Sequence, residues 1–270
     1  MPFPLVVTDA RGQRLTLAQP PRRMVSLVPS QTELLAYLGL DEEVVGLTRF
    51  CVHPEAWKRR KAIVGGTKQI NLESLRALQP DLVLANLEEN TQEMVEAIEA
   101  FAPVYVTHVG EVPEALTMIR TVGRLTARAA RADALADAID TAFGTLHGFP
   151  TMRVAYLIWQ KPYLTIGHDT FIHDVMQRAG LVNVFGAQAR YPEVTPVELV
   201  AARPEAVLLA SEPFPFQQKH IDALRRVLPE PLLHLVDGEL FSWYGSRLLQ
   251  SPAYLRSLRA ELAARLTGLS

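Results

Sequence analysis

Cysteine is nearly missing from this 270-residue chain: Cys51 stands alone, which excludes an internal disulfide and a cysteine-built metal site. A single thiol of this kind usually packs as a small hydrophobe, and that is the role expected of Cys51. Surplus charge is missing too. With 27 Lys and Arg against 29 Asp and Glu, the net charge of -2 provides no basic face of the kind that nucleic-acid binding uses. No window reaches transmembrane length, and the opening MPFPLVVTDARGQRLTLAQPPRR lacks the run of about 7 to 15 apolar residues that a signal peptide needs. The chain as written is therefore expected in the cytoplasm, or in the periplasm or at the cell surface if a signal has been removed. Familiar signatures fail as well: no G-x-G-x-x-G follows a strand, and no phosphate loop, H-E-x-x-H or G-x-S-x-G occurs. Gly65-Gly66-Thr67-Lys68 has the wrong spacing for a phosphate loop and reads instead as a turn that delivers Lys68.

What the chain does have is a repeat. LESLRALQPDLVLA from Leu72 returns as PVELVAARPEAVLLA from Pro196, with Pro80 and Pro204 at an offset of 124 residues. Each copy reads as a short helix, a proline-ended turn and a buried strand. RMVSLVPS from Arg23 is echoed by MRVAYLIW from Met152, and APVYVTHVG from Ala102 by PLLHLVDGE from Pro231. At 49% hydrophobic, the chain can fill two cores, so the repeat predicts two α/β lobes with a ligand cleft between them.

Residues 5 to 17 alternate as a hairpin turning at Arg11-Gly12 and are expected to act as a lid strand pair. Ser30 and Glu33 have the spacing of a capping box, which predicts a helix starting at Ser30 and stopped by Gly39. From Val112 to about Leu146 apolar residues recur at three- and four-residue spacing without an internal proline. One helix of that length would measure roughly 45 to 50 Å, enough to join two lobes, and a break near Thr126 to Arg131 is the alternative. The expected organisation is a lobe over 1–111, a connecting helix over 112–147 and a second lobe over 148–270, closing on a helix from Ser251 to Leu266. A monomer is expected.

Open α/β sheets bind ligands at the carboxyl ends of their strands, so the residues on those loops are the candidates. In the first lobe they are Arg49, Phe50, His53, Lys68 and Asn86; in the second, Trp159, Lys161, Tyr163, His168, Tyr191, Glu212, Trp243, Tyr244 and Arg247. Rings supply apolar contact and cations grip carboxylates or phosphates, which suits a flat, partly anionic ligand. His53, His108 and His168 lack the mutual spacing of a metal site, so no protein-built metal site is expected. His53 or His168 remains a possible ligand to a metal that the bound molecule carries. His173 is read as structural, on a helix capped by Asp169 or Thr170. Glu88, Glu89, Asp169, Glu212, Asp237 and Glu239 are the acidic candidates for catalysis, yet nothing orders them into acid and base.

VTDARGQRLTL followed by PPRRMVSLVPSQTELLAYLGL, then VVGLT, NLESLRALQPDLVLA, GLVNVF and ELVAARPEAVLL, occur in one order along nearly the whole chain. On these motifs the chain resembles the solute-binding proteins of iron-chelate and cobalamin ABC importers, the helical-backbone metal receptors. The resemblance implies two Rossmann-like lobes joined by one long α-helix, as in class III periplasmic binding proteins, with the ligand between the lobes. Within the family the cobalamin-binding branch looks most similar. Phe50 and Tyr191 match two of its aromatic positions, while Lys68 and Asn86 stand where it carries tryptophans, a change that suits a smaller or more anionic chelate. It also implies docking on an ABC permease through one acidic residue per lobe. Glu73 matches the first; in the second lobe Val197 occupies the matching place, with Glu198 next to it.

The expected function is non-catalytic binding of a corrinoid or Fe(III) chelate, without an obligatory cofactor, as the substrate-binding component of an uptake system. Arg49, Lys68 and Arg247 would grip anionic groups; Phe50, Trp159, Tyr191, Trp243 and Tyr244 would pack on ligand faces. The alternatives are a cytosolic enzyme using Asp169, His168 or Glu212, and an intracellular corrinoid or chelate carrier or sensor.

Overall fold

The computed structural model describes residues 3–228 and 231–268, and the chain divides into two compact units. The first gathers the residues up to Val109, Pro113–Ile139 and the short return Tyr244–Arg247; the second holds Gly110–Val112, Asp140–Trp243 and the residues from Leu248 onward. The stretch 113–139, expected to stand apart as part of a connector, therefore belongs with the first unit.

The first unit opens with the antiparallel pair β1 (Leu5–Thr8) and β2 (Arg14–Leu17), turning at Gly12 with φ +79°. The Asp9 carboxylate holds the turn by accepting from the N–H groups of Arg11 and Gln13. The Ala10 N–H donates to Val106 O and Arg11 reaches Glu99, so the pair is fastened to its own unit. Then come β3 (Met24–Ser26), α1 (Pro29–Tyr37), β4 (Val44–Leu47), α2 (Glu55–Arg60), β5 (Ala62–Ile63), α3 (Leu72–Ala77), β6 (Leu82–Asn86), α4 (Gln92–Glu99) and β7 (Val104–Thr107). The strands form one parallel sheet in the order β5-β4-β3-β6-β7. Parallel neighbours need a crossover, which the helices supply, and burial on both faces explains why β6 is apolar from Leu82 to Ala85. Val25, Leu75, Val83, Ile98 and Val106 meet in this core.

Two expectations are corrected here. Helix α1 begins at Pro29 behind Val28, not at a Ser30 cap: proline's fixed φ suits the first helical position, and Glu33 turns away to Arg247. The single helix expected over 112–147 is two helices, α5 (Val112–Leu125) and α6 (Ala129–Phe143). Ala127 adopts φ +55°, which stops α5, and the chain doubles back so that Arg120 meets Asp137 at 2.6 Å. Gly123 permits the turn. A Cβ there would lie 2.2 Å from the Ala132 Cβ, so the two helices touch where the smallest residues stand. Helical periodicity alone cannot report a reversal of this kind, because both arms keep the same spacing.

The second unit contains β8 (Met152–Leu157), β9 (Tyr163–Leu164), α7 (Phe171–Arg178), β10 (Leu181–Asn183), β11 (Glu193–Val194), α8 (Pro196–Ala202), β12 (Ala206–Ala210), α9 (Gln218–Arg225), β13 (Leu232–Val236), α10 (Glu239–Ser242) and α11 (Ser251–Leu266). Its parallel sheet runs β10-β8-β12-β13, with β9 and β11 pairing separately. Leu157, Leu199, Val207, Leu209, Ile221 and Leu224 fill its core.

The repeat extends to individual hydrogen bonds. Arg23 donates through its side chain to Leu78 O and through its N–H to Asp81; Arg153 does the same to Ala202 O and Glu205. Asp81 and Glu205 return their own N–H groups to Arg23 O and Arg153 O. Gln79 and Arg203, each just before the repeated proline, both take φ +48°. Strand pairing sets Met24 against Leu82 and Val154 against Ala206, so Arg23 corresponds to Arg153, one residue beyond the match to Met152 drawn from sequence.

Candidate functional site

In each sheet the connections reverse direction at one place, between β3 and β6 in the first unit and between β8 and β12 in the second. Loops at the carboxyl ends beside such a reversal form the usual ligand crevice of open α/β sheets.

In the first unit these loops rest on a buried polar layer. Gln31 donates to Thr107 Oγ1 at 2.5 Å, Asn86 donates to the same oxygen at 3.1 Å, and the Thr107 hydroxyl donates to Ala85 O at 3.1 Å. Asn86 also accepts from the Glu88 N–H, while Asn90 accepts from the Asn86 N–H and donates to Thr67 O. Asn86 is thus 2% exposed and committed to shaping the loop, in contrast to the open position expected for it. A residue replacing a ring at a loop end looks like a ligand contact in sequence, and only the Thr107 pairing reveals the structural role.

Above that layer Arg49, Phe50 and Lys68 are exposed and His53 is half-buried. Phe50 lies against Gly66, where a Cβ would come within 3.1 Å of its ring, so the glycine turn and the ring are built together. Glu89, half-buried on the neighbouring loop, has its carboxyl pushed up by burial; Lys68 pulls it down and Glu88 pushes it further up. His108 Nε2 stands 3.6 Å from Glu88. Cys51 is sealed beneath, bonded to Thr32 and Thr48, and burial raises its thiol pKa. It behaves as the small packed residue expected.

In the second unit the loops carry rings. Trp159 is exposed and meets Phe214 edge-on at 5.6 Å; Phe214 in turn packs on Phe216 at 4.8 Å and on His220 at 5.2 Å. Phe214 was not among the candidates singled out, although Ser211-Glu212-Pro213-Phe214 lies on a loop of the right kind. Lys161 is exposed and Tyr163 half-buried beside it. Tyr191 is exposed under the Arg190 guanidinium, 5.3 Å from its ring centre. Asp169 fixes that corner by accepting from the Arg190 N–H at 2.5 Å, which holds its carboxyl below the usual range. His168 uses Nδ1 on Gln188 O at 2.7 Å, and Thr170 caps α7 as expected. His173 pairs with Asn183 inside the unit, in keeping with a structural role.

Four more candidates turn inward. Trp243 and Tyr244 are buried, and Trp243 Nε1 donates to Glu212 at 2.9 Å. Glu212 also accepts from the Ser242 hydroxyl, so this carboxylate secures α10. Arg247 belongs to the first unit, where it makes a bidentate pair with Glu33 at 2.7 and 2.9 Å. A guanidinium with 12% of its side chain exposed needs such a partner, because a buried charge left alone is costly. The S-x-x-E pattern had assigned Glu33 to a cap, which concealed the pair.

Of the two docking candidates, Glu73 is exposed on α3, whose cap is supplied by Asn71. Glu198 is occupied instead: it accepts from the N–H and the hydroxyl of Thr195 in a capping box, and these bonds hold its carboxyl below the usual range. Val197, beside it, is 77% exposed. Among the described residues no three His, Cys, Asp or Glu side chains are grouped to hold a metal, and no helix is long and apolar enough to cross a membrane.

A sequence profile described as periplasmic binding protein matches residues 24–227. A vitamin B12-binding protein of Vibrio vulnificus is 29% identical over 204 residues, covering 72% of each chain. An uncharacterized ABC transporter substrate-binding lipoprotein of Bacillus subtilis is 27% identical over 219 residues, 76% of this chain and 69% of its own length. Among solved structures, the periplasmic vitamin B12 binding protein of Vibrio cholerae aligns with a TM-score of 0.77 at 17% identity, covering 90% of this chain and 98% of that one. The periplasmic heme-binding protein of Roseiflexus sp. RS-1 aligns at 0.78 and 18%, covering 91% and 99%. At these identities the structures establish a shared fold.

Proposed function

From the premise that the chain belongs to the periplasmic binding protein family, we propose that it is the solute-binding component of an ABC uptake system, taking a corrinoid or metal chelate. The observation that carries this reading is the exposure of rings beside cations on carboxyl-end loops. Phe50 is 54% exposed, Trp159 40% and Tyr191 38%, with Arg49, Lys68, Lys161 and Arg190 as their neighbours in sequence or space. Large rings are normally withdrawn from water, so three of them held out on braced loops favour contact with another molecule. The rings cover apolar ligand faces and the cations meet carboxylates or phosphates.

The ligand class is supported by relatives that bind vitamin B12 and heme, both flat metal-bearing macrocycles. Asn86 and Lys68 add an amide-braced loop and a cation where rings would favour a wholly apolar face. His53 or His168 would supply the imidazole to a ligand-borne metal. The protein releases its ligand unchanged to a permease, with Glu73 on the outer turn of α3 as the docking carboxylate, and it works outside the cytoplasmic membrane.

The test is direct titration with cyanocobalamin, cobinamide, hemin and a ferric hydroxamate, followed by quenching of tryptophan fluorescence. Saturable binding of at least one with a Kd below about 10 µM is expected, a free energy near -7 kcal/mol. Failure of all four at that concentration, or chemical conversion of the one that binds, overturns the reading.

A further inference from the structure

The first turn of α1 presents hydrogen-bonding groups that the protein itself does not use. Pro29 has no N–H to offer, and the Thr32 N–H is already bonded to Val28 O. Between them, the N–H groups of Ser30 and Gln31 donate to nothing among the described residues. Val28, at the capping position, has no side-chain acceptor, and the first turn carries no acidic residue. Natural helices almost always fill these donors with a side chain or water, and the place attracts anions.

A second observation points to the same spot. The hydroxyls of Ser30, 4% exposed, and Ser246, 7% exposed, have no hydrogen-bond partner. Two buried orphan hydroxyls call for an explanation. The chain path sets the residues that carry them side by side. Residues 244–247 lie along the first turn of α1, with Gly245 so close that a Cβ would stand 2.6 Å from Ser30 O. Arg247 pins the segment to Glu33 one turn further along, which also offsets the charge of that carboxylate. Helix α1 follows β3, the strand at the reversal of the sheet, where such folds bind anionic groups.

We propose that the N-terminus of α1 is an oxyanion site, taking one carboxylate or phosphate group on the N–H groups of Ser30 and Gln31 and the hydroxyls of Ser30 and Ser246. Its occupant is either a free inorganic anion, in which case the site stands apart from the corrinoid or chelate reading, or an acid group borne by the larger ligand, in which case it rests on that reading.

Inorganic phosphate is the first probe, with chloride at matched ionic strength as the reference. Phosphate should raise the wild-type Tm saturably and shift the amide resonances of Ser30 and Gln31, while chloride does neither. Ser246→Ala and Ser30→Ala should each weaken the phosphate midpoint about tenfold. In chloride, both variants should melt at or above the wild-type temperature, because each removes an orphan hydroxyl. A purely structural role for these serines would instead lower Tm in both salts. Equal responses to phosphate and chloride in the wild type, or an undiminished response in both variants, overturn the site. If Ser30→Ala does not fold, Ser246→Ala and the wild-type amide shifts decide. Hemin, which bears two carboxylates, separates the sources: competition with phosphate identifies a ligand-borne group, and simultaneous binding identifies a free anion.

Discussion

Arg23 and Arg153 perform the same task in the two units, yet the loops at the far ends of their strands differ in almost every side chain. At the amino edge of each sheet an arginine grips a helix-end carbonyl while an acid returns two bonds, and the residue before the repeated proline sits at φ +48°. At the carboxyl edge the first unit offers Arg49, Phe50 and Lys68 over an amide layer, and the second offers Trp159 propped on Phe214. Backbone closure is an unvarying requirement of a helix-to-strand turn, so its hydrogen bonds persist. The carboxyl-end loops carry no such constraint, and there the copies have diverged.

The strongest way to break the comparison lies in the α5–α6 turn, which stands outside the repeated segments. Gly123→Val should cost about 3 kcal/mol or more in urea denaturation, because no rotamer escapes the contact with Ala132. A loss below about 1 kcal/mol would mean that the two helices separate freely. Next come the rings. Trp159→Ala and Phe50→Ala should each weaken ligand binding roughly tenfold or more, about 1.4 kcal/mol, with Tm unchanged. If only one of them matters, a single unit carries the recognition. Phe214→Ala should weaken binding less than Trp159→Ala, since it acts by holding the indole.

The bracket itself gives a smaller effect. Asp81→Ala and Glu205→Ala should each destabilise by about 1 kcal/mol, the usual scale for a lost hydrogen-bonded group, and by similar amounts. A clear inequality would show that the shared geometry conceals unequal energetics. The smallest effect separates the helix caps. Glu198 is held below its usual pKa of 4.5, so its contribution to α8 is present above that value and fades as pH falls through the lower folded value. The α3 cap is the neutral amide of Asn71 and should not change. Hydrogen exchange at pH 3 and pH 7 should therefore show α8 fraying relative to α3 in acid, and Glu198→Gln should remove the difference.

Much of this fold was legible because packing imposes periodicity. The repeated LVLA and AVLLA strands, Gly39 ending α1, the hairpin at Gly12 and the final helix at Ser251–Leu266 follow from burial, positive φ and helical spacing. The candidate loops were legible too, since strand ends can be located from the runs they terminate. Which loop side chains face outward was not. Trp243 and Trp159 are the same residue at the same kind of position, and Trp243 is the one whose indole is bonded inward, to a Glu212 carboxylate 31 positions away. Arg247 was misread for the same reason, its partner Glu33 being 214 positions away. Local spacing reports neighbours in sequence; long-range partners decide orientation.

The sealed state of Cys51 has a practical consequence. Its side chain is wholly shielded from water, its thiolate form is disfavoured by burial, and it is the single cysteine of the chain. Any thiol introduced on the surface, for instance through Val197→Cys, would therefore be the sole site open to a maleimide dye. The chain is in this sense already a background-free scaffold for labelling, and a fluorophore placed near Trp159 would turn ligand capture into an optical signal.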